Sequence, residues 1–382
     1  MRDLFQETYI NSMKLSNRFV RSATWEGMAE QDGTCTRRLV NLMKKLAAGG
    51  VGLIITGHAC VHQNGQAGPW QLGVYADHLL PGLNQMTDAV HKKGGVIVLQ
   101  LAHAGMFADP RLIGERPIGP SDITGYNTTP PLEMTPPQIR TMIRTFGMAA
   151  RRAQKAGFDG IQLQAAHGYL LSQFLSPAFN RRKDKYGGNQ AKRTLFLLEV
   201  LGEIRDRVGG DFPVMVKINT SDFLDGGLVL ENALEVGIRL QEEGTDAIEL
   251  SGGTGASGRL RPVRTQINTP EDEAYFKDAG AAFKERLKIP IFLVGGIRSY
   301  SVADRILQDG IADYISLSRP LIREPDLIKR WRSGDRRKAA CASCNRCFIP
   351  IRNGKGVYCV AEKELKSAKK RAATKREREE IL

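Results

Sequence analysis

No run in the 382-residue chain approaches the roughly 20 consecutive apolar residues a membrane-spanning helix needs, so no membrane span is expected. The start, Met1-Arg2-Asp3-Leu4-Phe5, lacks a signal-peptide pattern, and a cytoplasmic location is expected. Cysteine is scarce: six residues, of which Cys35 and Cys60 stand alone, as small buried hydrophobes do, so no disulfide framework is indicated. The glycine-rich stretch Ser251–Gly258 is not followed by Lys-Ser/Thr and is therefore no phosphate loop of the nucleotide-hydrolase type. No Gly-x-Gly-x-x-Gly follows the first apolar run, which removes the main support for an open dinucleotide-binding sheet. Basic charge is not lacking, but it is unevenly placed. Of the net +14, residues 331–382 carry 15 Lys/Arg against 6 Asp/Glu, leaving an ordinary surface on the rest. The terminal run Lys363–Arg378 interleaves acids and bases with almost no aromatics, which reads as a solvated, partly helical tail and no nucleic-acid surface.

What is present is alternation. Eight short apolar runs recur: Arg18–Ala23, Val51–Thr56, Val96–Gln100, Gly160–Leu163, Val214–Ile218, Ala247–Leu250, Ile291–Val294 and Tyr314–Leu317. Amphipathic stretches lie between them, among them Leu79–Lys92, Pro137–Ala156, Ala191–Val208, Leu230–Glu243, Glu273–Leu287 and Val302–Gln308, several closing on glycine. Strand–helix alternation repeated eight times predicts an α/β fold, a (β/α)8 TIM barrel over residues 1–330, with a doubly wound sheet as the alternative. Residues 331–382 form a short cysteine-containing extension and charged tail. One connection, His103 to Thr135, is long and Pro/Gly-rich; such a loop is expected to cover a site.

In a barrel, the residues after each strand converge on one mouth, and here they are unusually polar: Thr24 and Trp25; His58 and Cys60; Gln100 and His103; Gln164, His167 and Tyr169; Lys217 and Asn219; Ser251–Gly253; Gly295 and Gly296; Ser318 and Arg319. Glycine amides after strand seven and a basic side chain after strand eight suit a phosphate. Lys217 has two readings, an amine nucleophile or a fixed cation beside an anionic cofactor or substrate.

Five ordered segments resemble the Old Yellow Enzyme family of FMN-dependent ene-reductases. They are Lys14–Val20, Val51–Ile55, Gln100–Gly105, Ala166–Pro177 with Asn180, Arg182, Asp184, Tyr186, Gly187 and Gly188, and the strand-seven and strand-eight pair. The resemblance implies FMN as cofactor and NAD(P)H as reductant. Ala23, Thr24 and Cys60 would face the ring, Gln100 its pyrimidine edge, and Lys217 its N1/O2 side. Gly295, Gly296, Ser318 and Arg319 would hold the phosphate. It further implies a small α,β-unsaturated carbonyl or enoate as substrate, with His167 on its carbonyl, Gln164 beside it and Tyr169 as proton donor. A homo-oligomer is expected. The chain departs from the family pattern at Gln164 (often His), Trp25 (often Thr or Cys) and Met106 (often Arg).

Cys341, Cys344, Cys347 and Cys359 read C-x2-C-x2-C-x11-C, a spacing for metal thiolates. The extension resembles the bacterial 2,4-dienoyl-CoA reductase and 2-enoate reductase branch, although two residues stand here where that branch has three. Either a [4Fe–4S] cluster or zinc is expected; a cluster would need an electron-transfer partner in trans. Two other functions compete: a flavin dehydrogenase of the same superfamily acting on an amine or ether, and a non-enzymatic nucleic-acid-binding protein using the basic C-terminal end.

Overall fold

The computed structural model describes the backbone of residues 2–379; the side chains of residues 369, 370 and 373–379 and the last three residues of the tail lie outside what it describes. All eight expected runs are strands: β1 Phe19–Arg21, β2 Leu53–Ile55, β3 Ile97–Ala102, β4 Gly160–Ala165, β5 Val214–Asn219, β6 Ala247–Ser251, β7 Ile291–Leu293 and β8 Tyr314–Leu317. Each pairs in parallel with the next, and β8 returns to β1 through Ile315↔Phe19 and Leu317↔Arg21. The result is a closed (β/α)8 barrel with no sheet edge among these strands.

Alternation along the strands sorts side chains into two cores. Outward residues such as Phe19, Ile54, Leu99, Ile161, Val216, Ile248, Leu293 and Ile315 pack under the helices. Inward residues Val20, Leu53, Ile55, Val98, Met215, Ala247, Phe292 and Tyr314 fill the lower lumen. Ile10, Met13 and Leu15 of the antiparallel hairpin Thr8–Ile10/Met13–Leu15 join that inner cluster and plug the floor. Each fully buried large apolar side chain contributes about 1.5–3 kcal/mol. One pleat higher the inward positions turn polar: Gln100, Gln162, Lys217, Glu249 and Ser316. The lumen is thus apolar below and hydrogen-bonding above, and that gradient places the chemistry at the strands' C-terminal ends.

Local signals set the helices. Arg37–Ala48 is capped by Thr36, whose hydroxyl accepts from the Leu39 amide, and it buries Leu39, Met43, Leu46 and Ala47 at helical spacing. Pro136–Lys155 opens with two prolines and a Thr135/Gln138 capping box. The long loop after β3 carries its own two-residue strand pair, Ile118–Gly119 with Leu132–Glu133. Arg182, buried after β4, pins it by donating to the carbonyls of Pro120 (2.9 Å) and Met134 (2.7 Å).

The residues beyond 331 lie on the barrel. Ala339 donates its amide to the Arg298 carbonyl, Val357 to that of Glu26, and Trp331 is buried. The tail forms one helix, Val360–Glu379. No helix among the described residues is long and apolar enough to cross a membrane.

Candidate active site

The turn after β1 is fixed by a buried ion pair. Arg21 meets Glu26 at 2.8 Å, both almost fully enclosed. Arg21 also donates to the carbonyls of Ile55 (2.5 Å) and Thr24 (3.1 Å), and Glu26 accepts from the Gly57 amide (2.9 Å). These bonds lock the turns after β1 and β2 together. Ala23 then faces the mouth cavity, while the Thr24 hydroxyl lies 2.8 Å from that of Ser318, joining β1 to β8.

β4 delivers the reactive-looking pair. His167 has left-handed backbone (φ +65°), a strained state for a non-glycine residue, held by its amide donating to Asn219 Oδ1 at 3.0 Å. The Gln164 side-chain amide lies 3.3 Å from His167 Nδ1 and the Ser251 hydroxyl 2.7 Å from Nε2, so both ring nitrogens are within hydrogen-bond reach of a partner. Burial, with the Lys217 charge nearby, holds the imidazole well below its ordinary pKa, so it is neutral. Gln164 Oε1 is buried without a partner. Tyr169 begins the next turn; its Oη is 3.3 Å from His58 Nε2, and the two rings meet edge-on at 5.4 Å. Burial raises the Tyr169 phenol above its usual range and lowers His58 to about 4, leaving both neutral near pH 7. Trp25 continues this wall: its ring is 6.4 Å from His58 and lies against Gly68, and its indole N–H is buried without a partner.

Below the mouth runs a polar chain. Gln100 donates to Gln162 (2.7 Å), Gln162 to Glu249 (3.0 Å), and Lys217 Nζ lies 3.1 Å from Glu249 Oε2 while donating to Ser22 Oγ at 2.9 Å. Burial opposes the Glu249 charge, but the Lys217 charge, the Gln162 hydrogen bond and the nearby Ser22 and Ser316 hydroxyls hold its pKa below the usual carboxylate range.

At the β7–β8 side, Gly295 (φ +147°) and Gly296 (φ +75°) take backbone that side chains rarely adopt, and a Cβ on Gly296 would come within 3.0 Å of Tyr275. Arg319 Nη1 donates to the carbonyls of Arg264 (2.8 Å) and Ser343 (3.1 Å) and to Asn345 Oδ1 (2.7 Å), tying the loop after β6 and the cysteine extension to the mouth. A cavity of about 70 Å³ joins Ala23, His167, Lys217, Gly296, Ser318 and Arg319. Its donor set suits an anionic, heteroaromatic ligand: glycine backbone, Arg319 and a hydroxyl at one end, Lys217 and an unpartnered Ser316 hydroxyl beneath. The cavity is smaller than the roughly 300–1,000 Å³ of a typical ligand pocket.

The expected residues do not all reach this cavity. Gln100, Gln164, Thr24, Tyr169 and Gly295 do not line it: Gln100 donates to Gln162 within the polar layer that Lys217 shares, Gln164 and Thr24 contact the lining residues His167 and Ser318, and Tyr169 packs on His58. Cys60 is buried with its thiol donating to the His62 carbonyl (2.6 Å) and lines a separate polar cavity with Gln71 and Tyr75. His58, Gln162, Glu249 and Ser251 received no role from sequence, although the polar residues inside the runs Gly160–Leu163 and Ala247–Leu250 were the available signal. The largest cavity described, about 1220 Å³, is a groove between the helices Arg37–Ala48, Leu327–Arg332 and Val360–Glu379 and shares only Ser318 with the mouth.

Cys341, Cys344, Cys347 and Cys359 surround one small cavity of about 30 Å³ together with Arg319 and Arg346. The expectation that they ligate a metal finds no support in this arrangement: among the described residues, no three His, Cys, Asp or Glu side chains converge as ligands of one ion. Burial raises the Cys341 and Cys347 thiols, the latter to about 11.

The sequence profile described as the NADH:flavin oxidoreductase / NADH oxidase family matches residues 3–338. The chain is 33% identical to the NADH oxidase of Thermoanaerobacter brockii, across 93% of this chain and 57% of that protein. It is 35% identical to the NADPH dehydrogenase of Bacillus subtilis strain 168, across 85% of this chain and 92% of that one. Among solved structures, a 2-naphthoyl-CoA reductase in complex with 2-naphthoyl-CoA superposes with a TM-score of 0.87 at 26% identity, covering 93% of this chain and 56% of that chain. The chain thus spans about half the length of the first curated relatives it matches.

Proposed function

Because the chain belongs to the NADH:flavin oxidoreductase / NADH oxidase family, we propose that it is an FMN-dependent oxidoreductase that reduces a C=C bond conjugated to a carbonyl or carboxylate, with NAD(P)H as the source of electrons. When bound, FMN supplies the two-electron hydride chemistry. The protein supplies position and charge. Gly295, Gly296, Ser318 and Arg319 would hold the phosphate, Ala23 and Thr24 the ring, Lys217 the electron-rich edge of its pyrimidine half, and Gln100 the floor beneath it. His167 would turn its Nε2–H from Ser251 to the substrate's carbonyl oxygen, where negative charge develops. Tyr169 would deliver its phenolic proton to the alkene carbon next to that carbonyl. Gln164 would keep the His167 proton on Nε2.

The observation that carries the reading is the pair on the β4 turn: a buried imidazole between Gln164 and Ser251, and two residues later a buried phenol beside His58. Anaerobic mixing with NADH or NADPH should bleach the yellow protein, and a conjugated enone should restore the colour. Protein that takes up no FMN, or that an amine reduces and an enone leaves reduced, would end this reading. The proposal extends to the four cysteines of the extension, whose side chains do not converge on one ion; they would have to draw together to hold an iron–sulfur cluster or zinc. Iron and acid-labile sulfide analysis of anaerobically purified protein tests it; folded protein with neither would remove the cluster.

A further inference from the structure

Lys217 and Glu249 are the two charged members of the inward polar layer, at paired positions on β5 and β6, with side chains 3% and 0% exposed. Two of the three Nζ donors are accounted for, at Ser22 and at Glu249 Oε2. Glu249 Oε2 also accepts from Gln162, which Gln100 holds in turn, so the carboxylate cannot swing away. Its other oxygen, Oε1, is buried without a partner.

Hydrogen bonding alone does not explain a carboxylate here. A glutamine amide oxygen could accept the same two bonds from Lys217 and Gln162, but it would leave the buried Lys217 charge uncompensated. What the carboxylate adds is a full negative charge against the ammonium that lines the mouth cavity. A ligand above therefore meets a neutral pair, where a lone lysine would present a cation.

We propose that Glu249 is a positioning residue that acts through Lys217: it cancels the cation beneath the mouth and so holds down the reduction potential of the bound flavin. This rests on the FMN reading above. A reduced, anionic ring gains more from a nearby positive charge than an oxidised, neutral one, so removing Glu249 favours the reduced form.

Midpoint potentials of the FMN-loaded wild type and Glu249→Gln, measured at pH 6.5 by anaerobic spectroelectrochemistry against a reference dye, test this. Glu249→Gln should bind reduced FMN, relative to oxidised, at least tenfold better than wild type, an upward shift of about 30 mV for a two-electron couple. The double variant Lys217→Met/Glu249→Gln should show no such rise, because the net charge of the pair is again zero; a purely structural role for Glu249 would not give this split. Glu249→Asp, which lengthens the pair, should rise by at least threefold, and it serves if Glu249→Gln fails to fold. Yellow variants whose potentials stay within threefold of wild type, or fall, would overturn the inference and leave the FMN reading standing. A wild-type protein that takes up no FMN would overturn both.

Discussion

Replacing Tyr169 by Phe removes one oxygen and little else. The ring keeps its edge contact with His58, and the lost Oη–Nε2 bond is long at 3.3 Å, so stability should fall by no more than about 0.5–1.5 kcal/mol. Catalysis should suffer far more. A positioned general acid contributes about 10²- to 10⁴-fold, or roughly 3–5 kcal/mol of barrier. That loss should appear only where the substrate is protonated. In anaerobic stopped-flow measurements, reoxidation by an enone should slow by about that factor, while reduction by NAD(P)H changes less than about threefold. The pH dependence follows from the raised phenol. A group whose pKa lies above its ordinary value of about 10 stays protonated up to that pH, so wild-type reoxidation should be flat from pH 7 to 10 and decline only above it. Equal slowing of both half-reactions, or a decline beginning near neutrality, would refute Tyr169 as the acid.

Two further outcomes rest on the fold. His103 is buried with a pKa lowered to about 3 by burial and by His62 nearby; its Nε2 is 2.8 Å from Asn64 Oδ1 and its Nδ1 accepts the Gly105 amide, so a second ring proton has no acceptor. The unfolded chain therefore binds that proton first, and stability rises with pH through the window from about 3 to 6.5. Between pH 6.5 and pH 5 His103 alone should cost up to about 2 kcal/mol, read from urea midpoints, and His103→Gln should reduce the slope, the buried His58 and His167 supplying the remainder; an unchanged slope would contradict the burial argument. Gly296→Ala should weaken FMN binding and lower the Tm, because its Cβ meets Tyr275 at 3.0 Å on left-handed backbone. Gly94→Ala, with similar φ (+68°) and nothing within 4 Å, should cost only the backbone term of about 1 kcal/mol and leave FMN affinity unchanged; equal FMN loss in both would separate Gly296 from the phosphate site.

The barrel was legible because buried parallel strands leave nearly unbroken apolar runs, and all eight are strands within a few residues of the expected bounds. The floor hairpin was not, since its three-residue strands are too short for alternation to register. Nor could the tethering of the His103–Thr135 loop be read, because Arg182, which pins it, lies some fifty to sixty residues downstream of its acceptors. In the site, the strand-end residues were visible as polar breaks after apolar runs. Gln162 and Glu249 were not, because each sits inside a run, and only the barrel's inward alternation shows that they share the lumen with Lys217. The Gln164 departure, whose effect the sequence left open, places a side-chain amide 3.3 Å from His167 Nδ1.

The most direct test of the proposed activity is a single turnover with NAD(P)H and a conjugated enone in deuterated water, with the label located in the product. One deuterium at the carbon next to the carbonyl, delivered from the exchanged Tyr169 hydroxyl, is the predicted result. An unreduced enone, or a reduced product without deuterium at that carbon, would contradict it.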